Sequence, residues 1–175
     1  MIFKKIFLKI KMNNQVVFEK HNNRECVKIY ENSILVDEKW YEKKNILLCH
    51  FKYFNLDCQD GDSLKKEEMW YNDKGELHRD DLPAVIKYYE NGHKKQEVWY
   101  QNGLMSRLDE NDLPSLISYY QSWNTNACGS IKEEHWYKNG LKYQRPDMVS
   151  KLYYAKSLND EQRGDVISEE WFMTS

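Results

Sequence analysis

The chain has 175 residues, with 26 Lys+Arg against 28 Asp+Glu, a formal net charge of -2, 41% hydrophobic and 31% charged residues. That length suits one domain with its own core. The balance excludes a strongly basic nucleic-acid-coating protein and a disordered tail, and no apolar stretch approaches the roughly 20 residues of a membrane-spanning helix. The unusual quantity is aromatic, 14%, from 13 Tyr, 6 Trp and 6 Phe.

At the N-terminus, Ile2, Phe3, Ile6, Phe7 and Ile10 recur at helical spacing among Lys4, Lys5, Lys9 and Lys11, with no acid. The apolar run is too interrupted for a signal peptide. The segment reads as a terminal strand or helix capping the core, with a basic amphipathic helix on a membrane surface as the alternative. Gln15 to Glu19 reads as a strand of a decayed first unit. Residues 1–24 are therefore assigned as an N-terminal cap and degenerate unit, and 25–175 as a repeat domain.

From there the tryptophans set the period. Glu-x-Trp-aromatic occurs at Glu38 to Tyr41, Glu68 to Tyr71, Glu97 to Tyr100, Glu134 to Tyr137 and Glu169 to Phe172. Between them fall adjacent aromatics, Tyr53-Phe54, Tyr88-Tyr89, Tyr119-Tyr120 and Tyr153-Tyr154, with Ile29-Tyr30 as a shorter first member. Asn91-Gly92 between two aromatic runs is a hairpin signal. Each unit thus reads strand, turn, strand, and the expected hairpins lie near 28–41, 51–71, 84–100, 115–137 and 150–172. Long tips fall at 55–66, 121–132 and 155–167. Further turn signals follow the second strands at Asn72 to Gly75, Asn102-Gly103 and Asn139-Gly140. An Arg comes next (Arg79, Arg107, Arg145), and in two units an Asp-Leu-Pro step (Asp81 to Pro83, Asp112 to Pro114) leads into the following strand. Because strands alternate faces, aromatics are expected on both faces of an elongated, twisted antiparallel sheet, with neighbouring rings stacked. Trp40, Trp70, Trp99, Trp136 and Trp171, with Tyr89, Tyr120 and Tyr154, are the expected structural core of this all-β array.

The order Trp-Tyr, Gly turn, His-Arg, Asp, Pro-Ala, aromatic, Asn-Gly resembles the MORN-type repeats in their variant form, known from proteins of giant DNA viruses and some phages. Trp70 to Gly92 carries it in full, with Gly75, His78-Arg79, Asp81, Pro83-Ala84 and Asn91-Gly92. Trp99 to Tyr120 has Ser106 in place of His, Trp136 to Tyr154 has Met148 in place of Pro, and the copy from Trp40 lacks the Gly and Arg. The resemblance implies a β-hairpin ribbon used for binding or scaffolding, with no catalytic site to carry over. The abundance of Lys, Asn and Ile suits an A+T-rich viral genome.

Nothing in the sequence spells out catalysis. His21, His50, His78, His93 and His135 make no metal-binding spacing, and no nucleophile or phosphate-binding motif occurs. Cys26, Cys49, Cys58 and Cys128 form no C-x-x-C pair and are expected as free thiols of a cytoplasmic protein. Cys49 and His50, being adjacent on a strand, are expected to face opposite ways. No enzyme activity, metal or cofactor is expected.

The leading expectation is a protein-interaction or scaffold module, binding through its sheet face or long tips, located in the cytoplasm (of the host, if viral). Candidate partner-binding residues are Trp123, the one Trp outside the ladder, with His78, Arg79, Arg107 and Arg145. Two other readings stand beside it. One is an RNA-binding subunit using the arginine row and exposed aromatics, against which the acids two places before each Trp would repel a phosphate backbone. The other is a membrane-peripheral protein held by residues 1–12. Each Arg also has a structural reading, as a clamp on its connection through a neighbouring Asp or a Trp ring. Open sheet edges invite pairing with a second copy.

Overall fold

The structure is a computed structural model that describes residues 6–10, 14–42, 45–56, 63–107, 113–121, 129–142, 150–154 and 165–170, the first and the last two segments as backbone. Among these there is no helix. The chain divides into two compact units, 1–76 and 77–175.

The first unit holds β1 (Ile6–Ile10), β2 (Asn14–His21), β3 (Arg24–Glu31), β4 (Ile34–Glu42), β5 (Ile46–Tyr53) and β6 (Lys65–Trp70), each paired antiparallel with the next in chain order. The second holds β7 (Val85–Tyr88), β8 (Lys94–Val98), β9 (Tyr100–Gln101), β10 (Leu104–Met105), β11 (Leu116–Tyr119), β12 (Ile131–His135), β13 (Tyr137–Lys138), β14 (Leu141–Lys142), β15 (Ser150–Tyr154) and β16 (Asp165–Glu170). Its sheet order is β7-β8-β11-β12-β15-β16, with β9–β10 and β13–β14 as separate short ladders. The five expected hairpins are therefore β3–β4, β5–β6, β7–β8, β11–β12 and β15–β16, and the upstream strand is β2. Of the strand and helix readings of the N-terminus, Ile6–Ile10 takes the strand: the helical spacing of its apolar residues gives way because five-residue pairing with β2 engages the backbone in a ladder.

A single rule organises the register. Cys26 faces Trp40, Trp40 faces Cys49, and Cys49 faces Trp70. Extending the Val85–Val98 register by one step sets Ala84 opposite Trp99. Ser115 lies between Trp99 and Trp136, since its carbonyl accepts from Trp99 N at 2.9 Å and its N–H donates to the His135 carbonyl at 2.9 Å. Every described indole of the ladder thus has a small residue across the strand, and these four small residues are 0% to 6% exposed. A bulky ring on one strand and a short side chain on the next interdigitate without a void, as dense packing requires.

A second rule repeats in all five hairpins. The register slips by one residue just before the first aromatic of each pair, between Ile29/Tyr30, Lys52/Tyr53, Lys87/Tyr88, Ser118/Tyr119 and Leu152/Tyr153. The extra residue sits on the opposing strand, four positions before the Trp, at Val36, Lys66, Lys95, Lys132 and Ile167. Bulges of this kind bend the strand and re-aim side chains.

The turns use the same dipeptide in two ways. Asn102-Gly103 and Asn139-Gly140 both have φ near +50° and +80°, and close two-residue loops between β9 and β10 and between β13 and β14. At Asn91-Gly92 only the Gly is left-handed, and Gly92 N bonds the Tyr89 carbonyl while Tyr89 N bonds the His93 carbonyl, giving a three-residue loop. Successive turns are tied together: Gly103 N donates to the Leu77 carbonyl and Gly140 N to the Met105 carbonyl, both at 2.9 Å.

The small-residue rule is testable. Ala84→Leu overfills the seat opposite Trp99 and is expected to cost about 1–3 kcal/mol, seen as a lower urea midpoint at unchanged slope.

Candidate functional site

The acid of each Glu-x-Trp motif shares a face with its Trp. These acids were expected to be available to repel phosphate. That is corrected: Glu38, Glu68 and Glu97 are among the buried residues, at 7% to 9% exposure. Burial of a carboxylate demands hydrogen bonds, and the repeat supplies them. Glu38 Oε1 accepts from Trp40 Nε1 at 2.8 Å and from Cys26 Sγ at 3.5 Å, and its Oε2 accepts from the Tyr53 hydroxyl at 2.6 Å. Glu97 accepts from the Tyr119 hydroxyl at 2.5 Å on one oxygen and from Lys94 Nζ at 2.7 Å on the other. Glu68 accepts from Lys65 Nζ at 3.0 Å.

Both tyrosines belong to the hairpin after the one that carries the acid, so each Glu–Tyr bond stitches neighbouring hairpins. The bulge explains the lysines. Residues three apart on a regular strand face opposite ways, but the bulged residue between Lys65 and Glu68, and between Lys94 and Glu97, returns both to one face. Two of the bulge lysines lie over the second aromatic of their pair, Lys66 Nζ at 5.8 Å from the Phe54 ring and Lys95 Nζ at 5.6 Å from Tyr89. Rings also meet, His21–Trp40 at 5.3 Å and tilted by 40°, and Phe51–Trp70 at 5.8 Å and edge-on at 77°, so in place of the expected stacking these rings make tilted, edge-on and cation–ring contacts.

The electrostatics follow from this packing. Burial, then the hydrogen bond to the acid, pushes the Tyr53 and Tyr119 hydroxyls well above the ordinary tyrosine range. Burial, then the Glu38 charge, pushes the Cys26 thiol up to about 12, leaving it a protonated donor rather than a nucleophile. Cys49 is also a buried free thiol. It faces Trp40 and Trp70, while His50 pairs with Lys39 and Met69 and holds Asp37 Oδ2 at 2.6 Å, so the two side chains face opposite ways as expected.

Arg79 and Arg107 are connection clamps. The Arg107 guanidinium lies 4.1 Å from the centre of the Trp99 ring and donates from Nη1 to the Pro114 carbonyl at 3.3 Å. Arg79 Nη1 reaches the Pro83 carbonyl at 3.5 Å. Each clamp therefore spans from Arg to the Pro of the Asp-Leu-Pro step, four residues on from Arg79 and seven from Arg107. The carboxylate near Arg79, Asp80 Oδ1, meets His78 Nε2 at 3.2 Å, and His78 Nδ1 accepts from Asn102 N at 3.2 Å. That places the proton of a neutral His78 on Nε2, facing the acid.

Of the expected core, Trp99 and Trp136 are buried, while Trp40, Trp70, Tyr89 and Tyr120 are half-buried. Tyr89 donates to the Tyr119 carbonyl at 2.8 Å, and Tyr120 N bonds the Ser130 carbonyl. Tyr154 ends β15 as backbone. Trp123, Arg145 and Trp171 lie outside the described residues, as do most of the three long tips. No group of three or more His, Cys, Asp or Glu side chains able to hold a metal gathers among the described residues, and no helix is long and apolar enough to cross a membrane.

Sequence reasoning missed the buried glutamates and the exposed leucines. Leu82 and Leu113, in the two Asp-Leu-Pro steps, are 50% and 39% exposed; Leu104 and Leu141, each following Asn-Gly, are 49% and 76% exposed. Their recurrence at matching positions was the available signal.

Removing one hydroxyl from the stitch leaves a buried carboxylate oxygen short of its donor. Tyr53→Phe and Tyr119→Phe are each expected to cost about 1–3 kcal/mol in chemical denaturation. A tyrosine whose folded-state pKa is raised contributes stability that is complete below its unfolded value, about 10, and is lost as pH rises beyond it. The melting temperature should accordingly fall above about pH 10, and fall less steeply in the Tyr53→Phe/Tyr119→Phe double variant. No family model matches the chain, and no curated protein is significantly similar to it.

Proposed function

We propose that this chain is a non-enzymatic protein-interaction or scaffold module built of MORN-like hairpin repeats. The observation that carries the reading is the recurrence of exposed leucine in the second unit. A lone exposed Leu is ordinary. Here the residue after Asn-Gly is an exposed Leu twice, on turns joined by the Gly140 N to Met105 O bond. A Cβ placed on Gly140 would stand 3.4 Å from Leu104 Cδ2, so the side chain of Leu104 reaches the turn that bears Leu141. A repeated apolar surface of this kind is what protein partners cover. The two described arginines of the row, by contrast, are engaged: Arg107 is spent on Trp99 and Pro114, and Arg79 on Pro83. That engagement weighs against a phosphate-gripping edge and favours a protein partner over RNA.

The test is affinity capture of the full chain from its native source, with nuclease treatment, compared with Leu104→Glu/Leu141→Glu. A stoichiometric, nuclease-resistant protein is expected with the native chain and not with the variant. The variant itself should change stability by no more than about 0.5 kcal/mol, as surface changes do. Recovery of nucleic acid, or partner retention by the variant, would overturn the reading.

A further inference from the structure

In the first unit, Trp40, Cys49, Phe51, Tyr53 and Trp70 line an open groove of about 500 Å³ with Glu38 among its walls and Arg24 and Lys65 also lining it. Its shape comes from the register: Cys49, the small residue, lies between two indoles, so the sheet surface dips there. Glu38 holds two of the walls in place by accepting from Trp40 Nε1 and the Tyr53 hydroxyl.

The second unit shows what an indole at this repeat position takes. Trp99 is 7% exposed because the chain after β10 brings the Arg107 guanidinium onto its ring. Ten residues separate β10 from β11, enough to make that return. Three residues separate β4 from β5, and the matching Arg is missing from the sequence after Trp40. Trp40 is half-buried, with the His21 ring centre 5.3 Å from its own and the groove beside it. A cation already rests on another wall of the groove, Lys65 Nζ at 4.8 Å from the Phe51 ring.

We infer that this groove is a docking site for an arginine side chain of a partner protein, seated on Trp40 as Arg107 is seated on Trp99. A guanidinium fits better than an ammonium, because it is planar, stacks on an indole and is more weakly hydrated. The exposed Arg24 at the groove opposes a second cation, and so tunes the site without building it. This site rests on the reading of the chain as an interaction module, but not on the leucine surface, so the two can fail separately.

The test is a two-dimensional NMR titration of the full chain, following tryptophan indole N–H signals, with acetyl-Gly-Arg-Gly-amide and its lysine and citrulline counterparts. The Trp40 indole signal is expected to move with the arginine peptide, less with lysine, and at least about fivefold more weakly with neutral citrulline. The Trp70 indole, which also lines the groove, is expected to move with the same peptide, and Trp40→Leu should abolish that Trp70 response in a folded chain. Arg24→Ser, at an exposed position, should leave the fold intact and tighten arginine-peptide binding about threefold. Equal response to citrulline would overturn the proposal, as would a Trp40 signal unmoved by any peptide. Weaker binding in Arg24→Ser would also overturn it, since Arg24 would then be helping to hold the peptide rather than opposing its charge. Partner retention by Leu104→Glu/Leu141→Glu, with this titration intact, would fault the leucine surface alone.

Discussion

An indole is too large to lie flat on a pleated sheet unless the strand beside it gives way. In this chain it gives way each time: Cys26 and Cys49 flank Trp40, Ala84 lies opposite Trp99, and Ser115 lies between Trp99 and Trp136. Almost everything else depends on that seat. It fixes the register, because a slip of one residue would put a bulky side chain under the ring and turn every Glu to the other face. It also explains why chemically unlike residues serve the same position. Thiol, methyl and hydroxyl share only their size, and Ser115 adds two bonds to Tyr137, donating to its carbonyl at 2.8 Å and accepting from its N–H at 3.2 Å.

With the indole seated, the acid two places earlier is carried into the sheet surface and must be satisfied there. The bulge four positions before each Trp does this by returning Lys65 and Lys94 to the acid's face, while Tyr53 and Tyr119 reach back from the next hairpin. A two-stranded hairpin is marginal alone, and a buried charge whose donor comes from the next hairpin makes each unit depend on its neighbour. The repeat is thus a chain of mutual obligations among Glu, Tyr and Lys rather than a stack of rings.

The units differ in what covers the indole, and the functional argument lies in that difference. After Trp99, where Gly and Arg follow, the chain leaves the main sheet, makes a short two-residue turn and returns Arg107 to the ring and to the Pro114 carbonyl. The excursion exposes a leucine at its tip. Where Gly and Arg are missing, after Trp40, β4 runs on to Glu42 and the ring stays open to a groove. One repeat therefore presents two kinds of surface: apolar turns in the second unit and an aromatic groove in the first.

The five repeat hairpins, their approximate spans, the upstream strand and the opposed faces of Cys49 and His50 were legible in sequence, while the short β9–β10 and β13–β14 ladders were not. Tryptophan spacing, aromatic pairs and Asn-Gly turns are local signals, and alternation along a strand is geometric. The clamp role of the arginines was half legible, as contact with Trp, but the Pro carbonyl acceptor was not, since a backbone atom leaves no mark on a sequence. The bulges, the burial of Glu38, Glu68 and Glu97 and the strand at Ile6–Ile10 were decided by tertiary structure. Each depends on which residue stands across a strand, and cross-strand partners are chosen by register, through contacts distant in sequence. The same holds for the small seats: Cys26, Ala84 and Ser115 carry no pattern among themselves, and their common role exists only once a tryptophan lies over them.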